Sequence, residues 1–192
     1  FAVGGAVSLT DASMWTAREA QAASVFFVQS TTSAQIQNEY QNTSARKVRI
    51  LIVPGHQPNS GGTEFNSLYD RNVVVDIAAA LYTLLSQNPH YDVMVARSKT
   101  AWNPILQSYF DTHALDILAF AASQTLLMKD YLADGSFLLE DDQVYHNSTP
   151  PYPALQLYGI NTWASDNEYD ITLHLHINDY PRRRAKDAGQ YD

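Results

Sequence analysis

Histidine and aspartate side chains stand at the ends of predicted strands and at the start of a predicted helix in this 192-residue chain. His56 directly follows the apolar run RILIVPG (residues 49–55), and His174 and His176 alternate with apolar residues in a later run. Asp70 precedes a long apolar stretch. Neutral imidazoles and carboxylates are zinc ligands, and a catalytic zinc site usually combines three protein ligands with an open position for water.

The elements around these residues predict that they meet. A strand is predicted over 47–53, ending at a Pro-Gly turn, then a helix over 70–87 and a strand over 91–96. Strand, helix and strand with tight turns are typical of a parallel α/β unit. A further strand is predicted over 170–177. Because ligands bind at the carboxyl edge of parallel strands, we expect the strand-end histidines and the helix-start aspartate to lie together there.

Each of these residues also has a simpler explanation. His56 could be an ordinary loop residue after a turn. Asp70 suits the start of a helix for its charge alone, and Ser67 followed by Asp70 resembles a capping box. His174 and His176 could face solvent on a half-exposed strand. Taken one by one these explanations are favoured, but taken together the residues favour a metal site.

Composition limits what kind of protein this is. A net charge of −8 argues against a nucleic-acid-binding protein, which normally has a basic surface. A hydrophobic content of 45% is ordinary for a globular domain with a core. The chain has no cysteine, so any metal must be held by His, Asp or Glu.

The chain divides into a main domain and an N-terminal extension. Residues 1–9 (FAVGGAVSL) are apolar but too few to span a bilayer. The end of a signal peptide or membrane anchor explains them as well as a tail packed on the protein surface does. Residues 10–45 predict a helix and then a polar spacer, partly helical around 34–40. The α/β domain is predicted over 46–192, with an insertion at about 102–153.

Further elements complete the predicted fold. Helices are predicted over 113–132 and 154–165 and a short strand within 136–145, whereas the loop over 56–66 predicts no regular structure. The helix over 70–87 is predicted to bury apolar residues at helical spacing: Val74, Ile77, Ala78, Leu81, Leu84 and Leu85. The predicted class is α/β, a mostly parallel sheet flanked by helices, with an N-terminal helical segment and an insertion.

Four motifs, in this order, resemble the zinc-dependent N-acetylmuramoyl-L-alanine amidases that cleave bacterial peptidoglycan. That family has a strand ending in Pro-Gly-His, a Gly-rich loop, a helix-start Glu, a strand ending in Thr-Arg and an Ile-His-Ala-Asn strand. The counterparts here are VPGH (53–56) with Gly61-Gly62, DRNVVVDIA (70–78), VAR (95–97) and YDITLHLHIN (169–178). The resemblance covers roughly residues 47–99 and 154–180.

Carried over residue by residue, the resemblance implies zinc (Zn2+) ligands at His56, Asp70 and His176. Asp70 stands where the family has a glutamate, and its shorter side chain leaves Glu64 in the preceding loop as an alternative ligand. His174 falls where the family usually has serine, so the resemblance implies that it lies next to the zinc ligands and is not itself a ligand.

The resemblance implies hydrolysis of the amide between N-acetylmuramic acid and L-alanine. The family's general base is a glutamate near the end of its domain, so we expect this residue beyond Asp192 and interpret the chain as a fragment. Peptidoglycan as partner implies a cell-envelope or extracellular location, periplasmic or secreted, with or without a membrane anchor upstream of Phe1.

Alternatives remain open for the function and for the insertion. The chain could be a non-catalytic envelope-binding or structural subunit on the same fold, or another zinc hydrolase such as a peptidase. The insertion over about 102–153 could cover the edge of the sheet that carries the site. It could equally serve self-assembly or bind a protein partner.

Overall fold

A computed structural model of the chain describes residues 31–42, 46–62, 64–65, 67–135 and 151–177. The elements within them are, in chain order, α1 (Ser33–Gln41), β1 (Val48–Pro54), β2 (Glu64–Phe65), β3 (Leu68–Tyr69), α2 (Asp70–Leu85), β4 (Tyr91–Val95), α3 (Pro104–Thr112), α4 (Ala114–Ala133), α5 (Pro151–Asp166) and β5 (Ile171–Leu175). The helix predicted early in the spacer and the strand predicted within 136–145 lie outside the described residues.

The main sheet is parallel and has β1 at its centre. Its three strands run in the order β4-β1-β5, and both pairings of β1 are parallel. Ile50 aligns with Val93 on one side and with Ile171 on the other. The carboxyl ends of the strands therefore share one edge, and the predicted α/β class, a mostly parallel sheet flanked by helices, is confirmed. The loop over 56–66 is less irregular than predicted, because β2 within it pairs with β3 in a short antiparallel ribbon.

Both faces of β1 are covered. Val48, Ile50 and Ile52 on one face pack with Ala78 of α2. The core on the other face brings together Leu51, Val53, Ala96, Trp102, Leu106, Phe110, Ile117, Ile160, Trp163 and Ala164, from the sheet and from α3, α4 and α5. The opening part of the predicted insertion, α3, therefore contributes directly to this core. A central strand covered on both faces is expected to be apolar throughout, as β1 nearly is.

The start of α2 differs from the prediction. Its N-cap residue is Tyr69, and no side chain caps the helix. The predicted capping box of Ser67 and Asp70 is wrong, because Ser67 precedes the N-cap by two residues and adopts a φ of 65°. The Asp70 side chain lies in the first turn of the helix and is available for another partner.

The buried face of α2 is narrower than predicted. Val74 and Ala78 are fully buried, but Ile77 is 45% exposed and Leu84 is 66% exposed. The prediction was wrong for these last two because α2 packs on the sheet with a single stripe at spacing i, i+4. Ile77 and Leu84 lie beside that stripe.

The remaining helices follow local sequence signals. Thr32 and Gln35 form a capping box at α1, which confirms the predicted helical turn around 34–40. The predicted helices over 113–132 and 154–165 correspond to α4 and α5. We did not predict α3, although Asn103 caps it and Pro104 opens it, a typical helix start. Among the described helices, none has the length and apolar character needed to cross a membrane.

Candidate metal centre

His56, Asp70 and His176 meet at the carboxyl edge of the parallel sheet. Each offers one ligand atom, and these atoms all lie within 4.8 Å of one another. His56 Nε2 lies 2.5 Å from Asp70 Oδ2. The rings of His56 and His176 are 4.8 Å apart between centroids and meet edge to face. This group could hold a metal ion.

The turn after β1 aims His56 at the other two residues. Gly55 N donates to Leu175 O at 2.8 Å, which extends the pairing of β1 and β5 to the end of the strand. His56 follows with a φ of 66°, in the left-handed region that few residues other than glycine adopt. Backbone strain of this kind is concentrated at functional sites.

Glycine residues allow the close packing around the histidines. A Cβ atom on Gly55 would lie 2.6 Å from both ring nitrogens of His176, so His176 can approach only because this residue has no side chain. A Cβ atom on Gly61 would lie 3.3 Å from His56 Nδ1, and one on Gly62 would lie 3.2 Å from His56 Cδ2 and 3.3 Å from Asp70 Cβ. The Gly61-Gly62 loop therefore wraps the His56–Asp70 pair.

Asp70 is buried, with only 5% of its surface exposed, and its carboxylate joins separate segments of the chain. Oδ2 contacts His56, and Oδ1 accepts a hydrogen bond from Ile177 N at 3.3 Å. Within the described part of the chain, no lysine or arginine forms an ion pair with this carboxylate. The helix-capping explanation of Asp70 is therefore not supported, since the side chain turns to the histidine.

Arg97 is almost fully buried and hydrogen-bonds to the backbone beside His56 and Asp70. Its guanidinium donates to the carbonyl oxygens of Pro54 and Gly55, before His56, and of Arg71, after Asp70. Burial lowers the pKa of Arg97 to about 10, although the charge of Asp70 opposes this effect. Sequence reasoning identifies Arg97 only as the end of the VAR motif, and a charged residue directly after a predicted strand is the signal that could have revealed it.

Two further candidates lie outside this group. Glu64, in β2, is exposed and does not belong to the group formed by Asp70 and the histidines. His174 is exposed on β5 and is likewise not a member. Partial desolvation, and secondly the neighbouring His176, lower the pKa of His174 and so favour its neutral form.

The donor set fits a zinc ion in chemistry and in approximate spacing. Ligand bonds of about 2.0–2.1 Å in a tetrahedral site place donor atoms about 3.3–3.4 Å apart. The spacings here bracket that value, from 2.5 Å between His56 Nε2 and Asp70 Oδ2 to an upper bound of 4.8 Å. Small side-chain rotations reconcile the two spacings.

No family model, no curated protein and no solved structure matches this chain. The observation that bears on function is therefore the site itself. It joins two imidazoles and a buried carboxylate at the edge of the sheet where α/β proteins bind ligands.

Proposed function

We propose that this chain is a zinc-dependent hydrolase that cleaves the amide bond between N-acetylmuramic acid and L-alanine in peptidoglycan. The observation that carries the proposal is the grouping of His56, Asp70 and His176 at the carboxyl edge of the parallel sheet. Two imidazoles and one carboxylate form a donor set found in catalytic zinc sites. The order of the motifs that supply them is the order in which the amidases have theirs.

The three side chains have different parts in this proposal. As zinc ligands, His56 and His176 would be neutral donors and Asp70 would supply the one negative charge. A zinc ion held by them would polarise the scissile carbonyl and activate water for attack. Asp70 is buried while His176 is exposed, so the substrate approaches from the His176 side.

The proton acceptor is proposed to lie outside the described residues. Asp70 is the one carboxylate in the described group, and it is used as a ligand. The resemblance implies a glutamate from a later part of the domain as general base. Since peptidoglycan lies outside the cytoplasmic membrane, the proposed location is the cell envelope or the extracellular space.

The test measures zinc content and peptidoglycan cleavage in the longest natural chain. We expect one zinc per chain after dialysis and release of new N-terminal L-alanine from purified peptidoglycan. His56→Ala and His176→Ala should each lose both, because two remaining ligands hold zinc weakly. His174→Ala is the matched control, since it removes an exposed histidine two residues before His176 and should keep the zinc.

The outcomes separate the alternatives. If His56→Ala and His176→Ala leave zinc content and activity unchanged, the proposal is wrong. Zinc with peptide-bond cleavage, but without new N-terminal L-alanine, indicates another zinc hydrolase. Binding to peptidoglycan without any cleavage in the longest chain indicates a non-catalytic subunit.

A further inference from the structure

Arg97 connects the sheet to both segments that carry the metal centre. It follows β4 and is 2% exposed. Nε donates to Pro54 O at 3.0 Å and Nη1 to Ser98 O at 3.0 Å. Nη2 donates to Gly55 O and also to Arg71 O, the latter at 2.9 Å.

These contacts fix the spacing between two proposed ligands. The Gly55 carbonyl belongs to the peptide bond that leads into His56, and the Arg71 carbonyl follows Asp70 by one residue. The same nitrogen of Arg97 binds both carbonyl groups. Because the guanidinium is planar and its donors point in fixed directions, it holds the two backbone segments at one separation.

A buried cation at this position needs a reason. Buried charges are normally paired, yet within the described residues Arg97 forms no ion pair with a carboxylate and binds carbonyl oxygens instead. A fixed positive charge close to a metal centre also repels the metal ion that would bind there. An apolar side chain would avoid both costs but could not bind the carbonyl groups. What Arg97 contributes is therefore the fixed position of the backbone segments that carry His56 and Asp70.

We propose that Arg97 is a positioning residue of the metal centre, which sets the separation of His56 and Asp70 through the carbonyl groups of Gly55 and Arg71 and thereby the affinity for zinc. The inference rests on the metal-binding part of the proposed function and not on the identity of the substrate. It treats Arg97 as an outer partner of the ligands and not as a residue that contacts the substrate.

The test compares zinc affinity in Arg97→Met, Arg97→Lys and Arg49→Met variants of the full chain, by competition with a chromophoric chelator. Arg97→Met should weaken zinc binding by about 10–100-fold, as loss of an outer partner commonly does. Arg97→Lys keeps the charge but cannot span the carbonyl groups, so its affinity should be intermediate. The visible spectrum of the Co2+-loaded protein should change in both Arg97 variants, because it reports ligand geometry.

Arg49→Met is the matched control. Arg49 also binds a backbone carbonyl, that of Asn167, and its guanidinium lies 4.4 Å from the centre of the Tyr169 ring. It lies near the amino end of β1, away from the metal centre. This variant should lose stability while keeping the zinc affinity and the Co2+ spectrum of the original chain.

Each result supports or overturns the inference. Unchanged zinc affinity in both Arg97 variants overturns the inference. It is also overturned if Arg97→Lys keeps full affinity while Arg97→Met loses it, because the charge alone would then explain the effect. If Arg97→Met does not fold, Arg97→Lys decides: weaker binding with an altered Co2+ spectrum supports positioning, and unchanged values overturn it. If the unmodified chain binds no zinc, the metal-binding proposal itself fails, which is a distinct result.

Discussion

An aspartate side chain is buried at each end of the parallel sheet, and the groups that contact the two carboxylates differ. At the amino end, the Asp170 side chain is fully buried and receives two hydrogen bonds from the Arg46 guanidinium, at 2.6 and 2.8 Å. The backbone N–H of Arg49 and the hydroxyl of Thr31 add two more, at 2.8 and 3.2 Å. Both oxygens of Asp170 therefore accept hydrogen bonds within the protein, and the guanidinium of Arg46 balances its charge.

At the carboxyl end, Asp70 has no guanidinium partner in the described part of the chain. Its oxygens contact His56 Nε2 and the backbone N–H of Ile177. The nearby arginine, Arg97, binds backbone carbonyl groups instead. Within the described residues Asp70 thus lacks a lysine or arginine partner and lies next to the two histidine donors.

A buried carboxylate beside a guanidinium stabilises the fold, whereas one beside imidazoles can join them in binding a cation. Burial alone does not separate the two cases, because Asp70 and the Asp170 side chain are both almost inaccessible. What separates them is the partner that lies within bonding distance. Substitutions at the two ends should therefore have opposite effects on zinc affinity and on stability.

The largest expected effect is the loss of zinc binding in Asp70→Asn. Removing the one charged ligand should cost about 3 kcal/mol of binding free energy or more, roughly 100-fold in Kd. Isothermal titration with zinc measures this directly. Asp170→Asn removes an equally buried carboxylate and serves as the control, which should bind zinc normally. Equal zinc affinity in the two variants would remove the distinction between the two ends.

Gly55→Ala should have the next largest effect, because its Cβ atom would lie 2.6 Å from the ring nitrogens of His176. Overpacking of this kind costs about 1–3 kcal/mol. We expect His176 to move out of the group and the zinc Kd to rise about tenfold or more, which corresponds to about 1.4 kcal/mol.

Gly135→Ala provides the control for the glycine substitution. Gly135 has a φ of 78°, but a Cβ atom there would have no neighbour within 4 Å among the described residues. The change should cost about 1 kcal/mol of folding stability through backbone strain alone. Zinc affinity should stay unchanged, and a loss equal to that of Gly55→Ala would show that the steric explanation is wrong.

Asp170→Asn should lower stability in a pH-dependent way. Burial alone would raise the pKa of Asp170, but hydrogen bonds from Arg46 and from the Arg49 amide outweigh it and lower the pKa below 3.8. The carboxylate therefore stabilises the folded state above pH 3.8, and this contribution is lost as the pH falls through the folded-state pKa. With Arg46 partly exposed, we expect a loss of about 1–2 kcal/mol at neutral pH.

Urea denaturation as a function of pH measures this effect. The difference in the free energy of unfolding between Asp170→Asn and the unmodified chain should shrink as the pH drops below 3.8. A difference that is the same at acidic and neutral pH would show that the ionised carboxylate is not the stabilising group.

The sequence was sufficient to predict the sheet and the convergence of its strand-end residues. Apolar runs marked β1, β4 and β5, and the rule that parallel strands end at one edge brought His56, Asp70 and His176, just after β5, together. Helix and strand boundaries followed from Pro-Gly and Asn-Pro turns. These features depend on local patterns and on topology, which a single sequence carries.

Other features depend on contacts that no local pattern records. Arg97 acts on backbone carbonyl groups, and these have no signature in the sequence. The exposure of Ile77 and Leu84 depends on how α2 lies across the sheet. Whether Asp70 caps its helix or turns to His56 depends on the conformation of the preceding loop, so the choice between Asp70 and Glu64 as ligand stayed open at the level of sequence.

Glu64→Gln has the smallest expected effect and tests that choice. Glu64 is exposed in β2, opposite Tyr69 in β3, and lies outside the group of donor atoms. An exposed substitution of this kind changes free energies by about 0.5 kcal/mol or less, so the zinc Kd should change by about twofold at most. Asp70→Asn is the matched comparison, because it removes the same charge from a neighbouring position. A tenfold loss in Glu64→Gln with normal binding in Asp70→Asn would make Glu64 the carboxylate ligand. Asp70 would then serve to orient His56, and the contrast between the two ends of the sheet would no longer identify a ligand.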